Sequence, residues 1–221
     1  MSAVPTLGFL GGTGIEGKGL ALRFALAGAP VIIGSRSAER ARQKAAEYNA
    51  LLGRELITGA ENREMLAHAE MVFLTTPFAQ AVDALTTYRE SFRPEQVLVD
   101  VTVPVKTKNS LGPGDLPEGS GSQHLAAHLP AGFPLVGAFK TVPSHVLAEL
   151  QEPLECDVFV CGDSEEAKAR VMDVIRLIPT LRPVDAGRLS VAGTLERMTA
   201  LAIGINRRYQ IKTARFRVIG L

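Results

Sequence analysis

Leu7-Gly8-Phe9-Leu10-Gly11-Gly12-Thr13-Gly14-Ile15-Glu16-Gly17-Lys18-Gly19 is the stretch on which the fold turns. An apolar run breaks into glycines and then into the helical pattern Leu20-Ala21-Leu22-Arg23-Phe24-Ala25-Leu26. Gly12, Gly14 and Gly17 stand in the register G-x-G-x-x-G, which predicts a first strand, a tight turn and a helix N-terminus. In that reading Gly12 permits the turn, Gly14 lets backbone approach a pyrophosphate, and Gly17 lets the helix pack on the strand. The free N–H groups and the positive end of the helix dipole then hold phosphates. A plain strand-to-helix turn is the alternative, and the apolar run before and the helix after favour a dinucleotide site.

Val31-Ile32-Ile33-Gly34 is a second apolar run, one helix later. All-apolar strands separated by helices predict an α/β fold with a mainly parallel sheet covered on both faces, doubly wound in the Rossmann manner. An NAD site places an acid at this strand end to bond the ribose 2′-hydroxyl. Here the strand ends in Gly34-Ser35-Arg36, followed by Ser37-Ala38-Glu39-Arg40, with Ser37 an N-cap for the next helix. Ser35, Arg36 and Arg40 suit a 2′-phosphate, because a guanidinium pairs with phosphate where a carboxylate repels it. The expected cofactor is therefore NADP(H).

Composition narrows the partners. The chain has 221 residues, 46% hydrophobic and 21% charged, with a net charge of +1. That balance gives no electrostatic footprint for nucleic acid, no apolar run is long enough to span a membrane, and Met1–Pro5 does not read as a signal peptide. Cys156 and Cys161 lie an odd number of residues apart, on opposite faces of one strand, and read as buried free thiols of a cytoplasmic protein.

Further strands are expected at Met71–Leu74, Val97–Val99, Leu135–Phe139 and Cys156–Val160, and helices at Ser37–Leu52, Ala79–Tyr88, Ser144–Leu150 and Glu165–Ile178. A loop and a short helix are expected near Glu61–Ala69, a long apolar helix at Leu189–Tyr209, and an alternating edge strand at Ile211–Ile219. Lys106–Gly121 reads as a flap or a plain surface loop. His124 and His128 share a helix face but lack a third ligand and a base, so no metal site is read. The strand ends collect Thr13, Thr75, Thr76, Pro77, Thr102, Val103, Pro104, Ala138, Lys140, Thr141 and Val142. Thr75–Phe78 should line the cofactor crevice, with Thr102, Val103 and Ala138 at the nicotinamide end and Lys140 and Val142 beside the reacting atoms. This mostly apolar, hydroxyl-bearing set suits a flat ring stacked on nicotinamide, where hydride transfer needs alignment more than acid–base help.

Several runs together resemble the NADP oxidoreductases that use the deazaflavin coenzyme F420: Gly11–Gly14 with Gly17–Arg23, Ile33–Arg36, Lys44–Tyr48, Leu74–Pro77, Val160–Asp163 and Leu181–Gly187. The resemblance implies hydride transfer between NADP(H) and F420 and a homodimer. It implies an NADP-binding Rossmann domain over residues 1–143, with a smaller C-terminal α/β part over 144–221 completing the substrate pocket. It assigns Thr13, Ser35, Arg36 and Arg40 to the 2′-phosphate side, Gly12, Gly14 and Ile15 to the pyrophosphate, and Thr75 and Pro77 to the path toward the nicotinamide. Where archaeal members carry His in an Ala-x-His-Thr-Ile-Pro segment, this chain has Ala138-Phe139-Lys140-Thr141-Val142-Pro143. Lys140 motivates two further roles, pairing with an anionic partner or donating a proton; the bland alternative is a surface lysine. An NADPH-dependent reductase of a flavin, of ferric iron via flavin, or of a small carbonyl or imine remains open, as does a non-catalytic NADPH sensor. Arg36→Ala should weaken NADPH by about 1–3 kcal/mol, the scale of a lost charge-assisted bond, and leave NADH binding unchanged; equal losses in a titration of both cofactors would remove the 2′-phosphate assignment.

Overall fold

The computed structural model describes residues 4–105, 115–152 and 154–221. Strands and helices alternate: β1 (Leu7–Leu10), α1 (Ile15–Leu26), β2 (Val31–Ser35), α2 (Ala38–Leu52), β3 (Ile57–Glu61), α3 (Asn62–His68), β4 (Met71–Leu74), α4 (Phe78–Tyr88) and β5 (Val97–Asp100). The second half continues with α5 (Gly121–Ala126), β6 (Leu135–Gly137), α6 (Ser144–Ala148), β7 (Cys156–Gly162), α7 (Glu165–Ile175), β8 (Leu181–Gly187) and α8 (Ala192–Tyr209). They build an 8-stranded sheet in the order β3-β2-β1-β4-β5-β6-β7-β8. All neighbours are parallel except β6 and β7. The chain leaves β1 toward one edge through β2 and β3, then returns to β4 on its other side. That reversal opens a crevice beyond the carboxyl ends of β1 and β4, the place where such sheets bind ligands.

Both faces of the sheet are covered, which is why its central strands are buried at every position. On one face Phe9 stacks on Phe73 at 5.0 Å, and Phe24 and Phe139 close around them. The other face packs Leu10, Leu66, Leu74, Leu85 and Leu98. Cys156 and Cys161 are free and belong one to each face, as their odd spacing requires. Burial pushes both thiols up to about 11, which leaves them protonated and unreactive.

Several expectations need correction at the margins of the sheet. Ile57–Glu61 is a strand, not a loop; it is the edge strand β3, and Gly59 in its middle hid the pattern. Leu181–Gly187 is also a strand, β8, where Pro183 is tolerated because the edge position demands no N–H donor. Ile211–Ile219 is not a strand. One backbone bond, from Asp157 N–H to Phe216 O at 3.0 Å, holds it to β7. Side chains supply the rest: Arg182 donates to Val218 O at 2.6 Å, and Asp157 accepts from Val218 N at 2.6 Å. The helix expected to reach Ile178 ends at Ile175, β6 ends at Gly137, and Leu189–Val191 is a 3-10 turn before α8 begins. Residues 106–114 of the expected flap lie outside the described residues; Leu116 beyond them is buried.

Arg23 of α1 fixes α6 in place. Its guanidinium donates to the carbonyls of Leu147 at 2.7 Å, Val146 at 3.0 Å, Glu149 at 2.9 Å and Glu152 at 3.2 Å. The short helix α6 could not satisfy those terminal carbonyls by itself. Arg23→Ala should lower stability by about 2–3 kcal/mol, the scale of charge-assisted bonds lost with buried acceptors left behind. Denaturant unfolding measures it, and Arg23→Lys should recover only part, because one ammonium cannot reach all four carbonyls.

Candidate functional site

The turn after β1 is built by close approach. Gly11, not Gly12, carries the left-handed backbone, with φ +84°, so the turn glycine is corrected by one position. Gly12 serves packing: a Cβ there would lie 2.8 Å from Phe9 Cβ and 2.9 Å from Ile33 Cβ. A Cβ on Gly17 would lie 2.7 Å from Gly12 Cα, so the glycine in the first turn of α1 packs on the loop itself. Gly14 is the N-cap of α1 and has space, since a Cβ there would come no closer than 3.6 Å to another atom, Gly11 O. No side chain caps α1, whereas Ser37 caps α2 by accepting from Arg40 N at 3.3 Å. The first-turn N–H groups of α1 are thus available to an anion.

Beside this loop, Ser35 is buried at the end of β2 and accepts from Ser37 N at 3.4 Å. Arg36 and Arg40 are exposed, and among the described residues neither guanidinium has a partner. Both cations stand on an open rim.

On the other side of the loop opens a cleft of about 1020 Å³. Of the expected residues, Gly14, Ile15, Thr75, Thr76, Pro77, Thr102, Val103, Lys140 and Val142 line it. Gly12, Thr13, Gly17, Ser35, Arg36, Arg40 and Ala138 do not; Ala138 is sealed in the core and donates its N–H to Asp100 O at 3.1 Å. Phe78, expected in the crevice, lines it too; the sequence reading passed over Glu16, His145, Thr199 and Asn206, which line it as well. The last two come from α8, which no strand-end rule reaches. Glu16 and His145 carried a signal of their own, a titratable side chain in the first turn of a helix that follows a sheet strand. Glu16 is half-buried, and burial pushes its carboxyl up to about 8. Two buried polar atoms here have no partner, Thr76 Oγ1 and His145 Nε2. Orphaned donors and acceptors in a cleft fit a polar ligand that supplies the missing bonds.

Lys140 is not a surface lysine. Its Nζ lies 2.8 Å from Asp100 Oδ2, 2.6 Å from Thr102 O and 3.5 Å from Glu196 Oε1, all buried. Burial alone would push the ammonium down, but the charges of Asp100 and Glu196 and the Asp100 hydrogen bond outweigh it and hold its pKa above the usual value. Its ammonium is thus committed to buried acceptors although the residue lines the cleft. The carboxylates are held in turn: Ser122 Oγ donates to Asp100 Oδ2 at 2.6 Å, Thr102 N and Oγ1 to Oδ1 at 2.9 and 2.7 Å, and Gly121 N and Ser122 N to Glu196 at 3.0 and 3.2 Å. Phe139 just before has φ 58°, a left-handed conformation uncommon for a bulky residue. With its ring fixed in the core, that turn sends Lys140 toward the carboxylates.

Comparison with known proteins agrees with this geometry. A protein family described as NADP oxidoreductase, coenzyme F420-dependent, matches residues 6–104. The F420-dependent NADP reductase of Methanothermobacter thermautotrophicus is 35% identical over 99% of this chain and 96% of its own length. That of Methanocaldococcus jannaschii is 34% identical over 97% and 98%. A crystal structure from Arthrobacter sp. FB24, of a protein provisionally assigned as an F420-dependent NADP reductase, superposes with a TM-score of 0.80 at 20% identity, covering 98% of this chain and 99% of that one. A UDP-glucose dehydrogenase of Pyrobaculum islandicum shares the fold over 95% of this chain and 52% of its own, with a TM-score of 0.66 at 17% identity.

Lys140→Met should leave two carboxylates buried without a cation, at a cost of about 3–5 kcal/mol. Unfolding measurements against Lys140→Met combined with Asp100→Asn and Glu196→Gln should show part of that loss restored; no recovery would mean the ammonium is not what balances these acids.

Proposed function

Because the chain belongs to the family of F420-dependent NADP reductases, we propose that it transfers a hydride between NADP(H) and the deazaflavin coenzyme F420. The observation that carries the reading is a single cleft that begins at an uncapped helix N-terminus and continues as an apolar, hydroxyl-lined slot. Its volume of about 1020 Å³ sits at the top of the range of about 300–1,000 Å³ usual for one small ligand, which suits two ring systems. NADPH, once bound, supplies the hydride, and reduction of the deazaflavin also consumes one proton.

The residues divide the work. Ile15 and the residues after it in the first turn of α1 offer backbone N–H groups to the pyrophosphate, and Gly14, whose own N–H donates to Gly11 O at 3.1 Å, leaves room for its approach. Arg36 and Arg40, with Ser35, take the 2′-phosphate and set the preference for NADP(H) over NAD(H). Thr75, Thr76 and Pro77 lead along the cofactor, with the orphaned Thr76 Oγ1 a ready partner for it. Thr102, Val103 and Val142 hold the rings face to face and exclude water, so that proximity and alignment lower the barrier. Lys140 shapes this wall rather than donating a proton, because its donors are committed.

Residues 144–221 complete the acceptor side through Thr199, Ile203, Asn206 and Ala214. Leu201 and Tyr209 stand exposed on α8, which supports a homodimer formed through that helix. Among the described residues no helix is long and apolar enough to cross a membrane. The two reduced thiols support a cytoplasmic setting.

Mixing the purified protein with NADPH and oxidised F420 should bleach the visible absorbance of the deazaflavin, with NADH and FMN much poorer in parallel. Tight NADPH binding without bleaching would keep the cofactor half and move the acceptor to flavins or carbonyls.

A further inference from the structure

We propose that Glu16 meets the diphosphate of NADP(H) as a neutral carboxylic acid, donating its O–H to a phosphate oxygen, so that cofactor binding carries a proton onto this side chain. The inference rests on the NADP(H) reading above and adds a specific, proton-linked contact to it.

Glu16 is the second residue of α1, two places after the N-cap Gly14, and its side chain lines the same cleft as Gly14 and Ile15. An acid in the first turn of a helix is ordinarily welcome as an anion, because the dipole and the free N–H groups stabilise negative charge. A bound diphosphate claims those same N–H groups and brings negative charge of its own. An ionised Glu16 would then repel the ligand at close range, while the protonated acid supplies one more donor to it.

Among the described residues no cation is paired with Glu16 to relieve that repulsion. Facing the cleft from α6 is His145, and from the segment after β6 is Lys140, whose ammonium is bound by Asp100, Thr102 and Glu196. The β4 end and α8 contribute the uncharged Thr75, Thr76, Thr199 and Asn206. On α1 itself, Lys18 lies over the Tyr48 ring at 5.9 Å, and Arg23 is spent on the α6 carbonyls. Among the described residues Glu16 forms no ion pair. Its titration follows from that setting: burial alone raises the carboxyl to about 8 before any ligand arrives, and a neighbouring diphosphate raises it further.

The sign is fixed. The ligand prefers the protonated form, so affinity is flat where Glu16 is already protonated and falls as pH rises through the free-protein value. This window lies above the second ionisation of a phosphate monoester, near 6, so the 2′-phosphate of the cofactor does not obscure it. Calorimetric titration of NADPH at pH 7, 8 and 9, in two buffers of different ionisation heat, reads both quantities. The wild type should lose about tenfold in affinity from pH 7 to pH 9, with proton uptake rising to nearly one per site. E16Q, which keeps a donor but cannot ionise, should bind with the same affinity at all three values, take up no proton from this site, and bind more tightly than the wild type at pH 9. Equal pH dependence in the two proteins, or binding by the wild type without proton uptake, overturns the inference and leaves the NADP(H) reading intact. Failure of the wild type to bind NADPH at any pH removes that reading and this inference with it. The proton count on the wild type decides the question even where E16Q does not fold.

Discussion

One buried ammonium joins segments beside the cleft that lie far apart in sequence. Lys140 follows β6, Asp100 ends β5, Ser122 opens α5 and Glu196 belongs to α8, and all four meet around Nζ or its acceptors. Glu196 takes the first N–H groups of α5, and Thr199 one turn later donates to Lys140 O at 2.7 Å. So α8 is fixed both to the helix that follows the polar stretch and to the segment after β6. A buried charge cluster of this kind is weak evidence of stability, because desolvation offsets most of the Coulomb gain. Its value is geometric. Each member needs all the others, so the wall holds one arrangement rather than several.

The cofactor end follows a different rule. There the chain leaves its groups unpaired: an uncapped helix, two free guanidinium groups and an orphaned hydroxyl. Toward the proposed acceptor end, the buried Lys140 cluster is internally satisfied, and among the described lining residues there His145 Nε2 is the orphaned atom. The contrast matches the two ligands of the proposed reaction. A highly charged nucleotide is held by polar groups that wait for it, while a flat ring is held by shape and by exclusion of water, which also protects the hydride.

Some of the early reading lay in local patterns that tertiary context does not override. The glycine register after an apolar run, the acid-free tip at Ser35-Arg36 and the strands buried on both sides are each set by residues close in sequence, and they were legible. Edge strands were harder. β3 contains Gly59 and β8 contains Pro183, and both residues are acceptable only because a strand at the margin answers to one neighbour. The tail at 211–219 alternates like a strand, yet its backbone is claimed by Arg182 and Asp157 from β8 and β7.

The sequence by itself determined the α/β class, the glycine turn between the first strand and helix, the NADP(H) cofactor and the family, because each depends on contiguous residues or on likeness along nearly the whole chain. Only the tertiary structure decided that Lys140 turns inward, since the carboxylates that draw it there are 40 and 56 residues away along the chain. It alone brought Thr199, Asn206 and His145 to the cleft beside Thr75 and Thr102. It also left Glu16 half-buried in the cleft wall with no ion-pair partner among the described residues, because burial is a property of what folds over a residue and not of the residue's neighbours in the chain.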